Sequence, residues 1–174
     1  ASRDAGKSNP YFLSPELMRA FLERIAPMRG QVSSIMLQFE YLNKRKMGSL
    51  QEFLDKLEEF FDEVPQDWPY AVEIRNPNYL KRPYFDFLRR RGLAHVFAHG
   101  YYMPKAPETY RAFGDLLEDR VVLRLLGWDR KGIEKESGKK WDSLADPRDG
   151  ELNHIADMTR DLLYRGVDVA IYVN

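Results

Sequence analysis

The sequence contains no cysteine among its 174 residues. That excludes a disulfide scaffold, a thiolate metal site and a cysteine nucleophile. Net charge is missing too, because 27 basic residues stand against 27 acidic ones. A balanced chain has no global attraction for nucleic acid or an anionic membrane. No apolar run approaches the roughly 20 residues of a membrane-spanning helix. The Ala1–Asn9 stretch is polar, unlike a signal peptide. By elimination the chain reads as cytoplasmic. There is no P-loop, no glycine-rich dinucleotide fingerprint, no nucleophile elbow and no HExxH motif. The residues name no cofactor and offer no evident metal-ligand set. What is present is a 44% hydrophobic, 13% aromatic chain. That composition belongs to a folded globular protein long enough for one domain.

Two kinds of segment alternate. Ser14-Pro15 is an N-cap followed by proline at the first helical position. Leu17, Phe21, Leu22 and Ile25 follow at helical spacing. Ser49 and Glu52 make a capping box ahead of Phe53, Leu54, Leu57, Phe60 and Phe61. Pro83 opens a short helix with Gly92 as its stop. A last helix is predicted from about Glu151 to Tyr164, with Leu152, Ile155, Met158, Leu162 and Leu163 as its apolar stripe. Between the helices lie five short apolar runs, Val32–Phe39, Tyr70–Arg75, Ala94–His99, Val121–Gly127 and Asp168–Asn174. Runs without strict polar alternation fit strands covered on both faces, as in parallel sheets. Their alternation with helices predicts an α/β protein built from right-handed crossovers. Tyr101–Pro107 and the long, charged Trp128–Gly150 stretch read as loops.

Successive side chains on a strand point to opposite faces. Val72 and Ile74 therefore oppose Ala71, Glu73 and Arg75. Leu123 opposes Arg124, Leu37 opposes Gln38, and Val173 opposes Asn174. One face of each strand suits covering helices, and the other carries polar groups near its C-terminal end. Ligand sites of parallel α/β folds lie at that end. A buried charge costs several kcal/mol unless it is paired, so Glu73, Arg75 and Arg124 invite two readings. One is a structural ion-pair network. The other is a site for an anion, since guanidinium groups fit carboxylate and phosphate bidentately.

Other candidates carry less. His95 and His99 share a face of the third strand, but no third metal ligand accompanies them. Arg89-Arg90-Arg91 suits a helix C-terminus. Lys44-Arg45-Lys46 reads as a solvated loop or a phosphate contact. Trp128 and Trp141 read as anchors of the long loop.

The motifs LQF (Leu37–Phe39), YAVEIRNP (Tyr70–Pro77), VLRLLG (Val122–Gly127) and AIYVN (Ala170–Asn174) occur in an order that resembles the YecE-like family, a domain of unknown function numbered 72. Asn9–Leu13 and the Trp141 to Leu152 segment resemble one branch of it. The resemblance implies a parallel (β/α) barrel of TIM type without an established activity. The family's fifth-strand glutamate and arginine match Glu73 and Arg75. Its seventh-strand arginine matches Arg124, its fourth-strand glutamine Gln38, and the first asparagine of its closing pair Asn174. The chain departs from the pattern at Leu126, Asn76 and Ala98, each of which replaces a residue that is polar in the family.

A barrel of this type takes about 250 residues. Residues 1–174 thus resemble strands four to eight of eight, an incomplete barrel whose first three strands and short C-terminal tail are absent. Completion would come from a missing segment or from self-association. The expected function is binding of a small polar or anionic substrate at the strand ends, in an enzyme or a binding protein. Glu73, Arg75 and Arg124 would be its catalytic groups, and Gln38, Asn76 and Asn174 its substrate-binding ones. A nucleic-acid-processing barrel and a non-catalytic interaction scaffold are the alternatives. No membrane partner is expected.

Overall fold

The computed structural model describes residues 9–100, 102–127, 134 and 147–173. Helix α1 (Pro15–Ile25) is capped by the Ser14 hydroxyl, which accepts from the Leu17 N–H. Helix α2 (Leu50–Glu63) is capped by Ser49, which accepts from Glu52 N–H at 3.1 Å. The Glu52 carboxylate closes a variant of the box by accepting from Gly48 N–H at 2.8 Å, one residue before the cap. Helix α3 (Arg82–Arg91) ends on Gly92, whose φ of 63° is the left-handed conformation glycine adopts without strain.

Helix α4 (Ala106–Phe113) falls partly in the stretch expected to be a loop. Pro107 sits in its first turn, where a missing N–H costs nothing, so the proline starts a helix instead of breaking one. Helix α5 runs from Asp149 to Tyr164. Ile155, Met158 and Leu162 of its expected stripe are buried. Leu152 and Leu163 are exposed, because neighbours such as Leu162 and Leu163 stand about 100° apart on a helix.

The five strands are β1 (Ile35–Gln38), β2 (Tyr70–Glu73), β3 (Ala94–Gly100), β4 (Arg120–Gly127) and β5 (Asp168–Val173). All pair in parallel and in chain order. The sheet is open among the described residues, with β1 and β5 at its edges.

Side-chain parity follows the sequence pattern. Ile35, Tyr70, Val72 and Ile74 bury against Phe53, Leu57 and Phe61 of α2 and Tyr84, Phe85 and Leu88 of α3. Phe97, Val121 and Leu123 bury against Ile155, Met158 and Leu162 of α5. The opposite face holds a cluster of strand residues alone: Met36, Ala71, Ala94, Val96, Val122 and Ala170. Among the described residues, helices thus cover one face only. Complete burial of a large apolar side chain contributes about 1.5–3 kcal/mol, so the helix-facing layer carries most of the stability. The face without helices is lined mainly by small side chains.

A bulge between His99 and Gly100 shifts the β3–β4 register, pairing Gly100 with Gly127. Gly100 has φ 129°, which a side chain would strain. Such bulges bend a strand at its end and re-aim the residues beyond it. No helix among the described residues is long and apolar enough to cross a membrane.

Candidate functional site

Strand register places Gln38 opposite Glu73 at the C-terminal ends of β1 and β2. On the other side of β3, Arg124 stands opposite Ala98. The methyl group of Ala98 leaves room on the helix-free face, and the long arginine side chain crosses β3 to reach the two strands beyond. Its Nη1 donates to Glu73 Oε2 at 2.6 Å and to Gln38 Oε1 at 3.1 Å. Arg75, just past the end of β2, donates from Nε to Glu73 Oε1 at 2.7 Å, and its Nη2 lies 2.7 Å from the same oxygen. Glu73 is wholly buried, with both carboxylate oxygens engaged. The side chains of Arg75 and Arg124 keep 19% and 15% exposure.

Two features of this cluster bear on chemistry. Two guanidinium groups converge on one carboxylate. Arg124 also spends Nη1 alone. Among the described residues its Nε and Nη2 make no hydrogen bond, and these two atoms form the side-on edge that grips a carboxylate or phosphate bidentately. Gln38 is exposed, and its Oε1 faces Arg124, which leaves its amide N–H groups as donors on the open side.

Asn76, expected to bind substrate, is committed to the protein's own backbone. It is 2% exposed, and its side chain clamps a backbone. Oδ1 accepts from Leu42 N–H at 2.8 Å while Nδ2 donates to the Leu42 carbonyl at 2.9 Å. Asn76 therefore pins the loop between β1 and α2. Asn174 lies outside the described residues, as does nearly all of the Trp128–Gly150 loop with both of its tryptophans.

Both strand histidines lie on the helix-covered face. His95 Nδ1 sits 3.2 Å from the Tyr84 hydroxyl, with Phe85 and Phe97 rings edge-on to the imidazole. Desolvation pushes its pKa down to about 3. His99 Nδ1 accepts from Ala106 N–H at 3.1 Å, so the neutral ring carries its proton on Nε2, 3.7 Å from Glu151. Desolvation is the largest influence on His99 and lowers its pKa, against the opposing Glu151 carboxylate. Glu151 also receives Lys105 at 2.8 Å and Arg148 at 3.6 Å, tying the start of α5 to the start of α4. Sequence reading misses this knot, because its members sit in three elements and only His99 belongs to a strand.

Parts of the remaining charge runs pair locally. Arg90 and Arg91 pair with Glu58 on α2, and Lys46 pairs with Glu40 at 2.6 Å. A groove of about 860 Å³ between α2 and α3 is lined by Glu58, Arg82, Asp86 and Arg90. It lies on the helix side, and its charges pair with one another at 2.6 Å and 3.6 Å. Among the described residues no group of three or more acidic or histidine side chains is placed to hold a metal ion.

Fold and cluster together define an α/β protein with a parallel, one-side-covered sheet and a charged group at its C-terminal strand ends. The chain belongs to the DUF72 family, proteins of unknown function, whose model matches residues 5–174. Its fold is similar to that of a DUF72 family protein from Thermotoga maritima, with a TM-score of 0.67 at 20% identity. The match covers 92% of this chain and 58% of that one, so the chain spans less than two thirds of its relative's length. No curated protein matches.

Proposed function

We propose that the chain forms strands four to eight of a (β/α) barrel of TIM type, whose mouth binds a small anionic molecule on Arg124. Strands in chain order, all parallel and covered by helices on one face, support the barrel. The observation that carries the binding role is the side-on edge of Arg124, without a partner among the described residues. In this reading Gln38 donates to the ligand from its amide, Glu73 fixes the Arg124 guanidinium, and Arg75 holds Glu73 from its other oxygen. Glu73 has no exposed surface, so it acts as a positioning residue and leaves proton transfer to other groups.

The test compares wild-type full-length protein with Arg124→Lys by titration calorimetry, using inorganic phosphate and a panel of small carboxylates. Lysine keeps the charge facing Glu73 but lacks the planar two-donor edge. Saturable binding that weakens about ten- to hundredfold in the variant is expected, the equivalent of one charge-assisted hydrogen bond. Unchanged affinity, or no binding by the wild type, contradicts the reading and leaves the cluster as a structural ion-pair network.

A further inference from the structure

The loops that leave the same end of the sheet carry aromatic and cationic side chains that the anion site does not use. Tyr41 lies three residues past Gln38 and is 58% exposed. Tyr102 lies two residues past the end of β3 and is 94% exposed. Exposed tyrosines on a floppy loop would mean little. The Tyr41 loop is built, however. The buried Asn76 amide grips the adjacent Leu42 backbone from both sides. Asn43 Oδ1 then accepts from the N–H groups of Arg45 and Lys46 at 2.9 Å and 3.2 Å. Leu42 and Met47, on either side of the turn, are buried in the core. A ring held out into solvent on a clamped loop is preorganised, so stacking on it costs little ordering entropy. The same turn presents the exposed cations Lys44 and Arg45.

We infer that the ligand is a phosphomonoester bearing a planar ring, of the nucleoside monophosphate class, with its phosphate on Arg124 and its ring against Tyr41. This inference rests on the anion site proposed above and names its ligand class. Base-on-aromatic stacking adds affinity with little dependence on which base is present. Tyr102 offers a second wall, and the Gln38 amide suits a sugar hydroxyl between phosphate and ring. Lys44 and Arg45 add the long-range attraction that a dianionic phosphate needs to reach a chain of zero net charge.

Full-length protein titrated with inorganic phosphate, ribose 5-phosphate and adenosine monophosphate tests it. The nucleotide should bind at least tenfold more tightly than phosphate, with the sugar phosphate between them. Tyr41→Ala should erase about tenfold of that preference while leaving the phosphate affinity unchanged, and Tyr41→Phe should keep it. Tyr41 is largely exposed, so an unchanged melting temperature confirms that the variant folds. Equal affinity for the three ligands overturns the ring inference and leaves the anion site standing. Absence of all binding overturns both. Tight binding of a single-stranded oligonucleotide with none of the mononucleotide also overturns the inference, in favour of a nucleic-acid surface.

Discussion

His95 and Glu73 sit on neighbouring strands, 3% and 0% exposed, on opposite faces of the sheet. On the helix-covered face, His95 is enclosed by Tyr84 and two phenylalanine rings. His99, four residues further along the strand, accepts the first N–H of α4 and faces Glu151. These polar groups are neutral rings held by local partners. On the other face, Glu73 collects two arginines, and one of them retains an unused pair of donors among the described residues. Burial of a polar group therefore says little about function. What separates the two faces is the hydrogen-bonding capacity left once internal partners among the described residues are served.

The largest break in this comparison should come from Arg124→Met. It leaves Glu73 Oε2 buried without its partner while Arg75 still holds Oε1, and an unsatisfied buried oxygen of a charged group costs about 3 kcal/mol. Urea denaturation of the full-length protein measures it. Restoration of part of that stability in the Glu73→Gln, Arg124→Met double variant is expected, because the unsatisfied carboxylate oxygen is gone while Arg75 loses its pair with Glu73.

The helix-side face should respond to pH instead. The His95 pKa is lowered from an ordinary 6.5 to about 3, so the folded state binds fewer protons than the unfolded chain between these values. Its full contribution is present above about pH 6.5. It is lost as pH falls toward about 3, by at most about 1.4 kcal/mol per pH unit for one ring. His99 shifts in the same direction. Urea midpoints measured across this range should slope less steeply in His95→Gln than in the wild type.

A smaller effect is expected from Asn76→Ala, which removes both side-chain bonds to the Leu42 backbone. The cost should be about 1–3 kcal/mol, the penalty for leaving such buried groups unsatisfied. Faster hydrogen exchange at the Leu42 amide would locate it. The smallest effect belongs to Lys105→Ala. Its ion pair with Glu151 is solvent-exposed on the lysine side, so the change in urea midpoint should be too small to resolve.

Much of this division is legible in the residue pattern. Alternation alone places Gln38, Glu73 and Arg124 on the face opposite Leu37, Val72 and Leu123, and the core clusters obey that parity. Three things are not legible. The reach of Arg124 over β3 depends on the small side chain of Ala98, and in sequence the departure from the family pattern at that position reads as a lost polar group. Asn76 finds its partner 34 residues away, a distance no local spacing reports. Pro107 stands among loop-forming residues, although proline in a first turn is as good a helix start as Pro15. Helix positions in α5 blur for a different reason, since its apolar residues exceed what one face can bury.

The central claim is that the side-on edge of Arg124 is kept for an external anion. A crystal structure of the full-length protein grown with phosphate tests it most directly. The expected result is tetrahedral density within hydrogen-bond distance of Arg124 Nε and Nη2, with Glu73 still holding Nη1. A carboxylate or carbonyl of the protein itself seated on that edge would contradict the account and make the cluster a structural fastening of the sheet.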